Sequence, residues 1–396
     1  MQKSTSRIVL IIACAIFFAL GVLTAVNGPL LAEFAELNHT SLAEIGVLFT
    51  ALFAGALVSQ LLSGPLSDRI GQKPVLLVGI ALMVLGMVGY TLTRVYLLTL
   101  LFALLAGFGH GAVDLGGNVM IARVFKGRSV SALNLLNLFF GVGAFAGPAM
   151  ASLSLRFWQT GMPAIWMGAA VLALPAFWLL RLRLDDDASD ANQAVTSSGS
   201  VYRSPLLWLF ATVLLVYVGT ENGIGGWATI YFEQSTAMLT ARAALVTSGF
   251  WLALTAGRLV SAGLGTRMAP AAVLLASLAE ASAGAVLLAV SHGQTVLSVA
   301  AVLMIGFGFG AVYPTMIAIT TETFSHSPGK AASVAAAAGS VGGMLLPWLQ
   351  GVVIEQTTTR VFTYFVGLLV FSMLVIAFSV YRRADNRVQV TARQQS

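Results

Sequence analysis

Long apolar stretches alternate with short polar connections along the whole chain, and each stretch has about the 20 residues needed to cross a bilayer. We predict twelve spans in two sets of six, separated by a polar stretch after residue 182. The predicted spans are 8–34, 42–66, 74–92, 95–123, 129–154, 163–182, 205–232, 239–265, 270–290, 294–321, 328–355 and 361–381. The pattern predicts an all-α membrane protein.

An internal repeat relates the two sets of spans. Gly107-Phe-Gly-His-Gly-Ala-Val-Asp114 returns 199 positions later as Gly306-Phe-Gly-Phe-Gly-Ala-Val-Tyr313, with six of eight positions identical. We therefore predict two pseudo-symmetric six-helix bundles, 1–182 and 205–396, the second ending in a short basic tail. The polar stretch 183–204 is predicted to be a flexible cytoplasmic linker.

Composition and charge fix the class and the orientation. Hydrophobic residues make up 58% of the chain and charged residues 9%, against about 25% charged residues in soluble domains. Sixteen of the 21 Lys and Arg lie on the side that holds both termini, and four lie on the opposite side. Because cytoplasmic loops retain basic residues, we predict a bacterial-type inner (cytoplasmic) membrane protein with both termini cytoplasmic. This bias also explains the net charge of +6 without nucleic acid as a partner.

Several function classes are excluded by residue content. The single cysteine, Cys14, allows no intrachain disulfide, and we expect no metal site and no cofactor. No set of nucleophile, base and oxyanion donors occurs at usable spacing, so we expect no enzyme. The lipid bilayer and a small-molecule substrate are the expected partners of a chain that we expect to be a monomer.

The fourth span carries ionisable residues that are missing from its repeat. His110, Asp114 and Asn118 are spaced i, i+4, i+8 and share one helix face, whereas the second copy has Phe309 and Tyr313 in place of His110 and Asp114. A charge at the bilayer centre costs about 2.5–3.5 kcal/mol on the insertion scale, so such groups are functional by default. We predict proton coupling through Asp114 and His110.

The seventh span is a second candidate site. Glu221 and Asn222 precede a glycine-rich stretch, and Trp227 and Tyr231 follow it one helical turn apart. Glu221 is predicted to contribute to coupling or to bind substrate hydroxyls, and Asn222 to bind substrate. The two aromatic rings are predicted to stack on a sugar. Arg258 in the eighth span needs a carboxylate, a carbonyl or water as its partner, and Glu221 and Asp114 are the candidate carboxylates.

The connection after the second span reads Gly64-Pro-Leu-Ser-Asp-Arg-Ile-Gly-Gln-Lys73. It resembles the G-x-L-x-D-R-x-G-x-K signature of the major facilitator superfamily at every defined position. The resemblance implies twelve helices in two bundles around a central cavity that opens alternately to each side. It also implies that this loop is a conformational latch, formed by Gly64, Asp68, Arg69, Gly71 and Lys73.

A narrower resemblance concerns the fourth and fifth spans. Asp114-Leu-Gly-Gly-Asn118 and the later Asn134 and Asn137 are similar to motifs of the fucose:proton symporters and the sodium-dependent glucose transporters. On that likeness Asp114 carries the proton, and Asn118, Asn134 and Asn137 lie in or beside the sugar site. Asn27 stands where the fucose carriers have a second acid, and we count it among the substrate-binding candidates.

Two aromatic residues beside prolines complete the candidates for substrate binding and gating. They are Tyr313, before Pro314 in the tenth span, and Trp348, after Pro347 in the eleventh. We expect a kink at each proline.

Two kinds of transport are compatible with the sequence. We predict a symporter of a sugar or a similar polar solute, coupled to protons, with sodium as the alternative ion. The alternative is a proton-driven exporter of hydrophobic compounds, because Gly143-Ala-Phe-Ala-Gly-Pro148 resembles part of the antiporter signature G-x-x-x-G-P.

Overall fold

The computed structural model describes residues 2–125, 129–181, 201–291 and 293–395. Within these ranges twelve helical spans are long and apolar enough to cross a membrane, as predicted. We number them span 1 to span 12 in chain order. Their bounds are Ser6–Asn38, Leu42–Ser67, Gln72–Leu92, Tyr96–Val124, Ser131–Trp158, Met162–Arg181, Pro205–Thr236, Thr240–Leu264, Pro270–Val290, Thr295–Thr323, Pro328–Gln356 and Thr359–Tyr381.

Two spans are interrupted. In span 1 a helix over Gln2–Ala25 gives way to a 3-10 turn over Gly28–Leu30 and then to a helix over Leu31–Asn38. In span 10 the helix over Thr295–Phe309 ends at Gly310, and a new helix runs from Val312 to Thr323. The second break comes just before Pro314, close to the predicted kink. Span 11 is one continuous helix with Pro347 inside it.

Four helices run beyond the spans that they form, the first of them starting at Gln2, before span 1 begins at Ser6. The helix of span 2 is Leu42–Ile70, that of span 5 is Ser129–Trp158, and that of span 12 is Thr359–Gln395. Span 12 therefore continues without interruption into the basic tail.

Packing groups the described residues into two compact units that cut across the halves of the chain. Unit 1 lies within 1–195, 223–252 and 347–356, and unit 2 within 196–222, 253–346 and 357–396. Parts of spans 7, 8 and 11 therefore pack with the first six spans. The division into bundles 1–182 and 205–396 stays a prediction.

In unit 1 the later spans are joined to the earlier ones by single hydrogen bonds to backbone. Ser152 Oγ donates to the carbonyl of Ala241 at 2.6 Å, and Ser248 Oγ donates to the carbonyl of Phe145. Glu355, at the end of span 11, accepts from the backbone N–H of Ala43 in the first turn of span 2. Each contact uses one side-chain group only.

Trp227 is the largest fully buried side chain of unit 1. Its indole N–H donates to the carbonyl of Pro347 at 2.7 Å. Two glycines make room for the ring, because a Cβ at Gly46 would lie 3.2 Å from it and a Cβ at Gly351 would lie 2.4 Å from it. Trp227 thereby joins spans 2, 7 and 11.

Unit 2 begins with residues that we assigned to the linker. Val201–Arg203 forms a 3-10 turn, and Val201 is buried against Leu207 and Ala331. The indole N–H of Trp208 donates to the carbonyl of Tyr202 at 2.9 Å. The linker boundary at residue 204 therefore falls within packed structure, and residues 183–200 lie outside the described ranges.

Gly71 separates the helices of spans 2 and 3. Its φ of 88° and ψ of 159° belong to a region that is essentially restricted to glycine. Its N–H still donates to the carbonyl of Ser67 at 3.0 Å, so the first helix ends in a hydrogen-bonded turn. The sharp change of direction therefore depends on this residue.

We expect Gly71→Ala to lower the free energy of unfolding by about 1–3 kcal/mol, the usual cost of a strained backbone conformation. Thermal unfolding of the purified protein in detergent measures the effect. Gly367→Ala is the matched control, because no atom lies within 4 Å of a Cβ built at Gly367. Equal melting temperatures for the two variants would contradict the assigned strain.

We expect Trp227→Phe to lower the free energy of unfolding by about 1 kcal/mol or more, because the substitution removes a buried hydrogen bond. Trp348→Phe is the control, since Trp348 is 38% exposed and lies on the same helix as the acceptor Pro347. The measurement is again thermal unfolding. A loss that is no larger for Trp227→Phe than for Trp348→Phe would refute the proposed contribution of this bond.

Candidate functional site

Span 4 presents His110, Asp114 and Asn118 along one helix face, as predicted from their spacing. Asn118 Nδ2 donates to the backbone carbonyl of Asp114 at 2.9 Å and to its carboxylate Oδ1 at 3.3 Å. All three residues are partly exposed in a helix whose neighbouring glycines are buried. The structure therefore joins Asp114 and Asn118 directly.

His110 stands one turn before Asp114, and the two side chains interact electrostatically. Its Nε2 atom is buried and has no hydrogen-bond partner among the described residues. A buried polar atom without a partner is unfavourable for stability. Packing alone therefore does not account for the histidine.

The backbone around this face is held by glycines that repeat in both units. In unit 1 a Cβ at Gly109 would lie 2.3 Å from the backbone N of Met83 in span 3. In unit 2 a Cβ at Gly308, its counterpart, would lie 2.5 Å from the carbonyl oxygen of Ser277 in span 9. The repeated motif thus performs the same packing task twice, against the third span of each set.

Unit 2 contains the partner of Arg258. Its Nη2 lies 3.4 Å from Oε1 of Glu221, and the side chains are 25% and 9% exposed, respectively. Of the two candidate carboxylates in the sequence, Glu221 is the one that pairs with Arg258. The expectation of an intramembrane charge partner is therefore met within spans 7 and 8.

Aromatic residues surround this ion pair. The ring of Tyr217 is 5.3 Å from that of Phe309 and 6.4 Å from that of Tyr313, between centroids. Tyr217 is buried and interacts with both Glu221 and Arg258. The places that hold His110 and Asp114 in unit 1 thus hold two members of an aromatic cluster in unit 2.

Asn27 is occupied by contacts within the protein. It is 2% exposed, its Nδ2 donates to the carbonyl of Leu23 at 3.0 Å, and its Oδ1 accepts from the hydroxyl of Tyr90. Both ends of the carboxamide are therefore engaged, one within span 1 and the other with Tyr90 of span 3. This geometry gives no support to a substrate-binding role for Asn27, which stays a prediction.

The other predicted amides are more accessible. Asn134 and Asn137 are exposed on span 5, and Asn137 Nδ2 donates to the carbonyl of Leu133 at 2.9 Å. Asn222 is partly exposed, and its Nδ2 donates to the carbonyl of Val218 at 2.8 Å. Their roles stay predictions.

The aromatic candidates differ in accessibility. Trp227 and Tyr231 are 0% and 1% exposed, so neither ring presents a face to a ligand in this conformation. Trp348 is 38% exposed and Tyr313 is partly exposed. Sugar stacking on Trp227 or Tyr231 would require a different conformation.

The predicted latch spans the junction of spans 2 and 3. Lys73 Nζ donates to the carbonyl of Leu180 at 2.8 Å, at the C-terminal end of span 6, where a cation is favourable. Arg69 is exposed. Gly64 and Asp68 lie in the helix Leu42–Ile70, and the side chain of Asp68 is outside the described part of the chain. The latch function stays a prediction.

Sequence reasoning missed two polar residues. Tyr217 could have been recognised from its position one turn before Glu221. Gln350 lies in the apolar span 11 and is 0% exposed, and neither atom of its carboxamide has a hydrogen-bond partner among the described residues. Its side chain packs on Gly223, where a Cβ would lie 2.2 Å from Nε2. An isolated amide in an apolar stretch was the available signal.

Sequence comparisons identify related transporters. The profile of the Major Facilitator Superfamily matches residues 11–327 and 235–395. Sodium-dependent glucose transporter 1 of Danio rerio is 25% identical over 423 residues, covering 97% of this chain and 70% of that protein. A putative glucose/galactose transporter of Helicobacter pylori is 24% identical over 414 residues, covering 98% of this chain and 100% of that protein.

Two solved structures share the fold. The nucleoside transporter NupG superposes with a TM-score of 0.81 at 15% identity, covering 95% of this chain and 100% of that chain. The fucose:proton symporter of E. coli superposes with a TM-score of 0.66 at 19% identity, covering 94% and 98%. These relatives are transporters and not enzymes, which agrees with the prediction. With twelve membrane-competent helices and a profile match over most of its length, this chain is a multi-pass membrane protein that belongs to the Major Facilitator Superfamily.

Proposed function

We propose that this chain is a proton-coupled symporter of a sugar or a similar small polar solute. The observation that carries the proposal is the row His110, Asp114 and Asn118 on span 4. The equivalent backbone in unit 2 packs with Phe309 and Tyr313 at two of the corresponding positions. The fold therefore does not need ionisable groups there, and their cost in the membrane points to a function.

The arrangement suits proton exchange. Asp114 supplies a carboxylate that can take up and release a proton, and Asn118 donates to that carboxylate at 3.3 Å. His110 adds a second titratable group one turn away, and histidine titrates close to physiological pH. Because the two groups interact, protonation of either one alters the proton affinity of the other.

The substrate class is supported by the relatives. The Danio rerio and Helicobacter pylori proteins are named as glucose or glucose/galactose transporters, and one structural neighbour is a fucose:proton symporter. The exposed carboxamides of Asn134 and Asn137 offer the hydrogen-bonding groups that a sugar requires. We further propose a monomer in a bacterial-type inner membrane, with both termini cytoplasmic.

We expect Asp114→Asn to abolish ion-driven accumulation of substrate while leaving counterflow exchange largely intact. The amide keeps the size and hydrogen bonding of the side chain but exchanges no proton. Uptake and counterflow in proteoliposomes, with a panel of neutral hexoses that includes glucose, galactose and fucose, measure the two activities separately.

Glu280→Gln is the matched control for Asp114→Asn, because Glu280 lies on span 9, outside the row on span 4. We expect this control to retain accumulation. Equal loss of counterflow and accumulation in Asp114→Asn would instead make Asp114 a substrate ligand.

Uptake into proteoliposomes under an imposed proton gradient or an imposed sodium gradient identifies the coupling ion. One pH unit supplies about 1.4 kcal/mol per proton, and a potential of 100 mV adds about 2.3 kcal/mol. We expect uptake to follow an inward proton gradient in the absence of sodium. Uptake that follows a sodium gradient alone, and is indifferent to pH, would replace the proton by sodium.

A further inference from the structure

Unit 2 holds an arginine whose hydrogen-bonding capacity is used only in part. Arg258 Nη2 lies 3.4 Å from Glu221 Oε1, which is longer than the roughly 2.7–2.9 Å of a strong charge-assisted hydrogen bond. The Nε atom of Arg258 is buried and has no hydrogen-bond partner among the described residues. A guanidinium group has five N–H donors, so Arg258 retains donors for a second acceptor.

The position of the guanidinium group allows a ligand to reach it. The Arg258 side chain is 25% exposed, while that of its partner Glu221 is 9% exposed. The backbone at Arg258 packs closely on span 10, because a Cβ at Gly310 would lie 2.4 Å from the backbone nitrogen of Arg258. The backbone that carries Arg258 is therefore held by close packing, and its side chain is partly exposed.

A purely structural role explains the pair poorly. Burying two charges costs more than a single long contact returns, so a buried ion pair is weak evidence for stability. Two tyrosines, Tyr217 of span 7 and Tyr313 of span 10, are the other titratable groups that interact with Arg258. Both are neutral at physiological pH, so Glu221 is the carboxylate that balances Arg258.

We propose that Arg258 binds a carboxylate of the substrate, so that the transported solutes are sugar acids, and that Glu221 frees Arg258 by taking up a proton. The planar fork of arginine matches a carboxylate in two parallel hydrogen bonds. When Glu221 is ionised, the pair is neutral and Glu221 repels an incoming anion. When Glu221 holds a proton taken from the aqueous phase, Arg258 is left with a net positive charge that attracts the anion.

Binding of the anion and of the proton is therefore mutually favourable, which is the thermodynamic requirement of symport. In this step a proton passes between water and the Glu221 carboxylate, in addition to the proton exchange proposed at Asp114. The inference rests on the proposed function of sugar transport and narrows its substrate class.

The test compares sugars that differ at a single carbon. Glucuronate and galacturonate carry a carboxylate at C6, where glucose and galactose carry a hydroxymethyl group. Binding to the purified full-length protein is measured by calorimetry at about pH 5.5 and about pH 7.5, where the sugar carboxylates are ionised in both cases. We expect each acid to bind at least about tenfold more tightly than its neutral counterpart, and more tightly at the lower pH.

Three variants test whether Arg258 and Glu221 cause the preference for acids and its pH dependence. We expect Glu221→Gln to retain binding of the acids and to lose its pH dependence, because the amide is neutral at every pH. Arg258→Gln should lose the binding of the acids. Because this substitution leaves Glu221 without a partner and can impair folding, the double variant Glu221→Gln/Arg258→Gln, which buries neither charge, is measured beside it with the same expectation.

The outcomes separate this inference from the proposed function. Absence of binding of both acids, equal affinity for acid and neutral sugars, or retention of acid binding in the double variant would overturn the role of Arg258. Uptake of glucose or galactose alone would overturn it too, while leaving sugar transport in place. The proposal of sugar transport would be refuted only if neither the acids nor the neutral sugars were taken up under any ion gradient.

Discussion

Close approach between helix backbones is the constraint on which the rest of this structure depends. Lipid tails are as apolar as leucine, so helices in a bilayer associate through tight packing rather than through the hydrophobic effect. A Cβ at Gly107 would lie 1.9 Å from the carbonyl oxygen of Leu52, and one at Gly257 would lie 2.0 Å from that of Phe307. Span 4 packs on span 2 and span 10 on span 8 only because these positions carry no side chain.

Shared packing makes the differences between the two units informative. Gly109 and Gly308 do the same work in each unit, yet the side chains beside them differ, with ionisable His110 in one and Phe309 in the other. Unit 2 carries its ionisable groups elsewhere, as Glu221 and Arg258 on spans 7 and 8. The glycine packing is thus repeated in both units, whereas the ionisable side chains are not. Packing of the repeated motif therefore does not require those ionisable groups.

Sequence reasoning located the twelve spans because the length of an apolar stretch is set by the thickness of the bilayer. It found the row on span 4 because helical spacing is a local property. It could not choose the partner of Arg258, since Glu221 and Asp114 are equally available in the sequence. The contact of Asn27 with Tyr90 was likewise not visible in the sequence. These failures concern contacts between distant parts of the chain.

The helix breaks in spans 1 and 10 also combine a local sequence signal with a contact between distant parts of the chain. Gly28 packs on the carbonyl of Gly225, and Gly310 packs on the backbone of Arg258. Both sites carry local breaker signals, since Gly28 precedes a proline and Gly310 ends a glycine-rich motif. These signals predict positions at which a helix can bend. Packing against the neighbouring helix determines at which of them the helix does bend.

The hydrogen bonds that link spans 7, 8 and 11 to the earlier spans of unit 1 are individually weak, and close glycine contacts such as that of Gly28 with Gly225 act beside them. Ser152, Ser248 and Glu355 each make one hydrogen bond to a backbone group, and such a bond contributes only about 0.5–1.5 kcal/mol. Burial of the Gln350 carboxamide without partners opposes them, at a cost of about 1–3 kcal/mol. Opposing terms of this size nearly cancel, so an interaction that contributes a few kcal/mol is enough to shift the balance between them.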